Sequence, residues 1–415
     1  MAAGKVTIKT MNKMKIIADE AIPYLKGIFE NECEVEYYPG SEITPQRVKD
    51  ADALIVRTRT KCNAQLLEGS KVKVIASATI GTDHIDRAWC QSHNIALFNA
   101  PGCNSGGVLQ YFLTALFTCL STRELWQKFL NCTPDAGSAA AGAAESAPFT
   151  VGVIGVGNVG SKVAAACESL GFEVLRNDPP KERQQTLAYN SGYLRIVDFK
   201  DYYSLDYLLE NSDVVTLHVP LDETTRGMAD ANFFARMKPG AIFINSSRGE
   251  VVDEAALLAN LHKLAAVVLD VWVGEPNINR ELLQSAFIAT PHIAGYSAEG
   301  KIKGTQIAVE AIRRYMRDNG LTASTAASCT HSAGATPAAG AQATTASSPA
   351  AAGTCSIPEE QPIPVDFRGK NIDEISQMLE RIFPIQELSD ALKANPHTFE
   401  EMRNNYNYRH ELEIL

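Results

Sequence analysis

The chain has 415 residues, 45% hydrophobic and 21% charged, which allows two or three domains of ordinary soluble composition. Its formal net charge of −10 argues against nucleic acid as a partner, because neutralising phosphates requires a basic face. No run approaches the about 20 apolar residues of a membrane span, and MAAGKVTIKTMNKMKIIADE has no apolar stretch of signal-peptide length, so no membrane partner is expected. Cysteines number nine, an odd count with no C-x-x-C pair, which fits free thiols in a reducing cytoplasm rather than a disulfide framework or a metal site.

From residue 14 to 100, short apolar runs alternate with polar or helical ones: KIIAD (15–19), CEVEYY (33–38), ADALIV (51–56), KVKVIASA (71–78) and IALFNA (95–100). That rhythm predicts a parallel sheet with crossover helices. Residues 106–130 read as a long apolar helix packed between domains, and 134–148 as a low-complexity loop. The next run, VGVIGVGNVG (151–160), ends in Gly155-x-Gly157-x-x-Gly160, with Asn158 and Val159 inside the turn. An amphipathic segment and a second apolar run follow, closing at Asp178. Strand, glycine turn, helix, strand and carboxylate in this order are what dinucleotide binding needs. Gly155 permits the tight turn, Gly157 lets backbone approach a pyrophosphate, and Gly160 lets helix and strand pack closely. Asp178 stands where a carboxylate would bond a ribose 2′-hydroxyl and repel a 2′-phosphate, favouring NAD over NADP.

The alternation resumes with candidate strands at 213–219, 241–245, 265–270 and 287–290, and candidate helices at 230–237, 253–264 and 297–318, the last able to return to the first domain. Residues 321–355 are almost wholly Ala, Thr, Ser and Gly and read as a disordered linker. In the tail, Asn371-x-x-Glu374 resembles a capping box ahead of Ile372, Ile375, Leu379 and Ile382 at helical spacing, and Thr398-x-x-Glu401 could open a second helix. A tail this small is expected to pack on a partner surface.

Three polar residues follow the C-terminal ends of candidate strands, where open α/β sheets bind ligands: Arg248, Glu275 and His292. Taken singly, the Arg reads as a surface charge, the His as a packed residue, and Glu275, before Pro276, as part of a turn. Beside a nucleotide site they suit hydride transfer from a hydroxy acid. A guanidinium grips a carboxylate, an imidazole takes the hydroxyl proton near neutral pH, and a carboxylate orients the ring and stabilises its cation. Asp270 could bond a nicotinamide carboxamide or simply end a strand. VRTRTKCN (56–63), with Arg57, Thr58, Arg59 and Lys61, and SATIGTDHID (77–86), with Thr79, offer cations and hydroxyls that could bind phosphate or form an exposed loop. His218 is expected to shape a pocket edge rather than carry protons.

GVGNVG with NDPP, LHVPL, NSSRGEVVDE, LDVWVGEP and TPHIAGY resemble the D-isomer-specific 2-hydroxyacid dehydrogenases. IIADEAIPY, DALIVRTRTKCN, SATIGTDHID, APGCN and PHIAGYSAEGK point to the branch acting on 4-phospho-D-erythronate in pyridoxal 5′-phosphate biosynthesis. The resemblance implies an α/β fold of two doubly wound, Rossmann-like parallel-sheet domains. Residues 14–104 with 297–320 would bind substrate, 105–296 would bind NAD, and 356–415 would be a partial dimerisation-like helical tail of a homodimer. It implies Arg248, Glu275 and His292 as catalytic, with His292 the proton donor and acceptor. Asp178, Val219, Ser246, Ser247, Arg248, Asp270 and Gly295 would line NAD, and Thr58, Thr79 and Tyr296 would touch a phosphorylated hydroxy acid. Two rivals stand beside this reading: another D-2-hydroxyacid dehydrogenase such as phosphoglycerate dehydrogenase, and a non-catalytic dinucleotide-sensing protein.

Overall fold

The computed structural model describes residues 13–122, 149–191, 200–321, 357 and 360–415. The expected low-complexity loop at 134–148 and nearly all of the linker at 321–355 lie outside these residues. The chain forms two compact units, one of residues 1–99 with 305–358 and one of 100–304 with 359–415.

The first unit carries a parallel sheet of β1 (Lys15–Asp19), β2 (Glu34–Tyr38), β3 (Ala53–Val56), β4 (Val74–Ser77) and β5 (Ala96–Phe98), in the order β2-β1-β3-β4-β5. Each apolar run read from the sequence became one of these strands. β3 and β4 are buried along their whole length, as continuous apolar runs must be when helices cover both faces of a parallel sheet.

The second unit holds β6 (Thr150–Ile154), β7 (Glu173–Asn177), β8 (Val214–Leu217), β9 (Ile242–Asn245), β10 (Ala266–Leu269) and β11 (Ile288–Ala289), all parallel, in the order β11-β10-β9-β8-β6-β7. The order reverses at β6, so its crevice opens between β6 and β8, the place where such sheets bind ligands. Register sets the strand ends level. Ile154 lies opposite Asn177 and Leu217, and Leu269 opposite Asn245 and Ala289. Gly155, Asp178, His218, Ser246, Asp270 and Thr290 therefore all leave the sheet along one rim.

The Ser105–Leu120 helix is buried at every residue except Leu109, because one face meets the sheet core and another meets the C-terminal segment. That segment folds back within its unit. It packs on its own chain. Phe367, Ile372, Ile375, Leu379, Phe383 and Ile385 join the apolar cluster of β6 and the Ser105–Leu120 helix, while Leu392 and Phe399 join the cluster beneath Trp272. Asn371 and Glu374 form the expected capping box at the start of the Ile372–Ile382 helix. Thr398 does not cap the Phe399–Asn404 helix, because its hydroxyl instead donates to the Asn395 carbonyl at 2.7 Å. The parallel pair β12 (Ile363–Val365) and β13 (Leu412–Ile414) ties the two ends of the segment together.

Candidate active site

Every element of this site belongs to the second unit. The glycine turn follows β6. Gly155 has φ +83°, and a Cβ there would stand 2.6 Å from the His218 carbonyl oxygen and 2.8 Å from Val219 Cγ1. The turn is thus pressed against the β8 exit, and Val219 borders it. A Cβ on Gly160 would fall 1.9 Å from the Gly155 carbonyl oxygen, so no larger residue fits at the start of the Gly160–Ser169 helix. Gly157 is the opposite case: a Cβ there meets nothing within 4 Å. Open space over a glycine at a helix N-terminus is what a pyrophosphate requires. Asp178 accepts the Val156 N–H at 2.8 Å and the Lys181 N–H at 3.0 Å, which locks the carboxylate beside the turn and at the head of the next helix. Asn158 lies against Gly102, where a Cβ would stand 3.1 Å from its amide carbon.

Along the rim, Ser247 is fixed by Asn245, whose Oδ1 accepts from the Ser247 N–H at 3.0 Å and hydroxyl at 2.8 Å. The Ser246 hydroxyl is buried without a hydrogen-bond partner among the described residues, as is Asn104 Oδ1. Gly295 is shaped around Asn104, since a Cβ there would stand 2.3 Å from its amide nitrogen. Buried orphan polar atoms are rare and expensive, and these are suited to a polar ligand. The residues present fit NAD: an open glycine turn, a flanking carboxylate, and the unsatisfied Ser246 hydroxyl on the same rim.

His292 follows β11 with φ +59°, a backbone region costly for a residue bearing a Cβ. Asp270 holds it there. The Asp270 carbonyl accepts the His292 N–H at 2.8 Å, and its fully buried carboxylate accepts from Ile293 N–H, Ala294 N–H and the Thr290 hydroxyl at 2.7–2.8 Å. The His292 ring meets Glu275, with Nδ1 and Oε2 2.7 Å apart, which leaves Nε2 as the outward nitrogen. Glu275 Oε1 accepts the Trp272 N–H at 3.1 Å. Burial pushes the Glu275 carboxyl up, but the bond and charge of His292, the charge of Arg403 and the Trp272 N–H outweigh it and hold the group below its ordinary value. Glu275 is therefore ionised at neutral pH, ready to orient and stabilise an imidazolium.

Arg248 leaves β9 on the same rim. Its Nη1 donates to the Ser247 carbonyl at 2.7 Å, and its own carbonyl accepts from Asn245 Nδ2 at 3.0 Å. Gly249 packs so closely on Trp272 that a Cβ would stand 2.1 Å from the Trp272 carbonyl carbon, so Arg248 is held next to the strand exit that leads to Glu275. Thus His292 and Glu275 are in direct contact, and Arg248 is brought near them through the backbone. The His218 ring is pushed down to about 3 by burial, which keeps it neutral, while its Nε2 lies 3.1 Å from the Thr216 hydroxyl.

Tyr296 adjoins the pair through Arg403, whose Nε donates to the Tyr296 hydroxyl at 3.2 Å and whose Nη1 reaches Glu275 Oε2 at 3.4 Å. Arg409 fastens the loop behind His292. It donates to the carbonyls of Ile293, Ala294, Tyr296 and Gly107 at 2.5–3.1 Å and to Gln110 at 3.0 Å. Neither arginine lies in a local motif that marks a site. Their one signal was two guanidiniums six residues apart amid tyrosines in FEEMRNNYNYR. In the first unit, Thr58 is exposed, and the Thr79 hydroxyl lies 2.8 Å from that of Ser77. Arg57 is tied at 3.1 Å to the fully buried Asp19.

The model of the D-isomer specific 2-hydroxyacid dehydrogenase NAD binding domain matches residues 132–294. The erythronate-4-phosphate dehydrogenase of Bacteroides fragilis is 44% identical over 311 residues, covering 73% of this chain and 80% of that protein. The enzyme of that name from Escherichia coli is 40% identical over 309 residues, covering 73% and 74%. Among solved structures, D-lactate dehydrogenase of Aquifex aeolicus in complex with NAD and lactic acid is 26% identical with a TM-score of 0.58, covering 74% of this chain and 96% of that one. The open glycine turn, the carboxylate–imidazole pair and these likenesses agree, and the chain belongs to the erythronate-4-phosphate dehydrogenases within the NAD-dependent D-isomer-specific 2-hydroxyacid dehydrogenase family.

Proposed function

We propose that the chain oxidises 4-phospho-D-erythronate to (R)-3-hydroxy-2-oxo-4-phosphobutanoate, a step of pyridoxal 5′-phosphate formation. The observation that carries this reading is the 2.7 Å His292–Glu275 contact on the sheet rim that also bears the glycine turn. NAD, when bound, accepts the C2 hydrogen as hydride; Gly155–Gly160, Asp178, Val219, Ser246, Ser247, Asp270 and Gly295 would hold it. Arg248 grips the substrate carboxylate and polarises the C2 oxygen. His292 Nε2 takes the hydroxyl proton, and Glu275 on Nδ1 fixes the tautomer and balances the imidazolium. Asp270 keeps the His292 loop in its costly conformation. Thr58, Thr79 and Tyr296 are assigned to substrate by family resemblance.

A homodimer is the assembly we expect from the same resemblance. A reducing cytoplasm is the location we expect, supported by six unpaired, buried cysteines among the described residues. No helix among the described residues is long and apolar enough to cross a membrane. The direct test supplies 4-phospho-D-erythronate and NAD to the purified protein and follows NADH. Turnover at a kcat/KM at least tenfold above that for 3-phosphoglycerate supports the assignment. A preference for 3-phosphoglycerate would move the chain to the neighbouring activity, and NAD binding without turnover of any 2-hydroxy acid would make it a sensor.

A further inference from the structure

Arg403 stands on the Phe399–Asn404 helix, held in place by the buried Phe399 and by Met402 against the same apolar cluster. Its side chain is 18% exposed, and two of its three nitrogens are engaged. Nε bonds the Tyr296 hydroxyl at 3.2 Å, and Nη1 bonds Glu275 Oε2 at 3.4 Å, the same oxygen that meets His292 Nδ1 at 2.7 Å. Among the described residues Nη2 has no hydrogen-bond partner. A guanidinium fixed at Nε and Nη1 presents Nη2 in a set orientation, a charged donor suited to an oxygen of a tetrahedral oxyanion. Glu275 compensates the buried cation before any ligand arrives, so the group can wait in place without an uncompensated burial.

The proposed substrate has two anionic ends, and Arg248 is assigned to only one. The second end, a phosphate, lies two carbons beyond the reacting C2. Arg403 and His292 converge on a single carboxylate oxygen, so the guanidinium stands one carboxylate away from the imidazole, on its Nδ1 side. In the first unit, Arg57 is already committed to buried Asp19.

We propose that Arg403 binds the substrate phosphate, so that the C-terminal segment sets the preference for phosphorylated over unphosphorylated 2-hydroxy acids. This rests on the reading given under Proposed function and names the residue that makes it selective. Losing one charge-assisted contact to phosphate corresponds to about 10- to 100-fold in affinity. The experiment compares wild type, Arg403→Lys and Arg403→Gln on 4-phospho-D-erythronate and on D-erythronate, with thermal unfolding to confirm that each variant is folded. An acid that turns over too slowly is read as a competitive inhibitor instead.

The ratio of kcat/KM for the phosphorylated to the unphosphorylated acid is expected to fall at least tenfold in Arg403→Gln, mostly through KM, and less in Arg403→Lys. Any loss that acts through Glu275 lowers both acids alike and cancels in the ratio. An unchanged ratio, whatever the absolute loss, overturns the proposal. If wild type ignores 4-phospho-D-erythronate, the substrate reading fails by itself. The same ratio taken with 3-phosphoglycerate and glycerate then decides Arg403: collapse in the variants upholds it, and constancy overturns it.

Discussion

Gly157 and Gly160 lie three residues apart and respond oppositely to a methyl group. A Cβ on Gly157 meets open space, whereas one on Gly160 would drive into the Gly155 carbonyl oxygen at 1.9 Å. Gly157→Ala is expected to leave thermal stability within about 1 kcal/mol while raising KM for NAD at least tenfold, because the methyl occupies the pyrophosphate's approach. Gly160→Ala is expected to cost about 3 kcal/mol or more, since backbone must shift. Equal unfolding temperatures for the two variants would contradict this account of the turn. Glu275 gives a prediction in pH. Its folded carboxyl lies below the ordinary value, so its ionised form stabilises the fold. That stabilisation is complete above the unfolded carboxyl value of about 4.3 and is lost as pH falls through the lower folded value. Wild type is thus expected to exceed Glu275→Gln in unfolding temperature at neutral pH, with the gap closing in acid; a gap that is constant with pH would show that the charge is not what stabilises. The residues of the glycine turn and the His292–Glu275 pair were legible because each is a short local motif at a strand end. Arg403 was not, since its partners Glu275 and Tyr296 are more than a hundred residues away and no spacing rule links them.

Among the elements, β11 shows how a two-residue edge strand is kept from exposing its unpaired backbone. The Ile385–Ala394 helix covers it. Ser389 Oγ accepts the Ala289 N–H at 3.0 Å, and Lys393 Nζ donates to the Ala286 and Phe287 carbonyls at 2.5 and 3.2 Å. Ser389→Ala leaves a buried amide without an acceptor and should cost about 1–3 kcal/mol, measured by urea unfolding. A loss below a few tenths would mean that the edge relaxes freely. The strands of the two larger sheets were readable to within two or three residues at each end, because buried parallel strands are continuous apolar runs, whereas the short, partly exposed β12 and β13 carry no such run and were not legible. The capping box at Asn371 was equally plain. The tail's destination was not. Its apolar face, with Ile375, Leu379 and Phe383, says only that something covers it. Which surface does so is decided by shape against the Ser105–Leu120 helix, and composition carries no record of that.

At the scale of the whole molecule, Arg409 joins three stretches distant in sequence. It meets Gly107 and Gln110 on the long helix, the 293–296 loop behind His292, and Tyr406 in its own segment. Arg409→Met strands several buried carbonyls and should cost about 3 kcal/mol or more. It should also lower kcat for phosphorylated and unphosphorylated acids alike, because it loosens the His292 loop without touching the anion. A selective effect on one acid would contradict that division of labour between Arg403 and Arg409.

The central claim is that the His292 imidazole, backed by Glu275, takes the proton during hydride transfer to a separately bound dinucleotide. Steady-state turnover and NAD affinity of His292→Asn, measured side by side, test it most directly. The account predicts a fall in kcat of about 10²- to 10⁴-fold with NAD affinity unchanged within a factor of about three. A variant that keeps most of its turnover, or that loses NAD binding together with it, would contradict the claim.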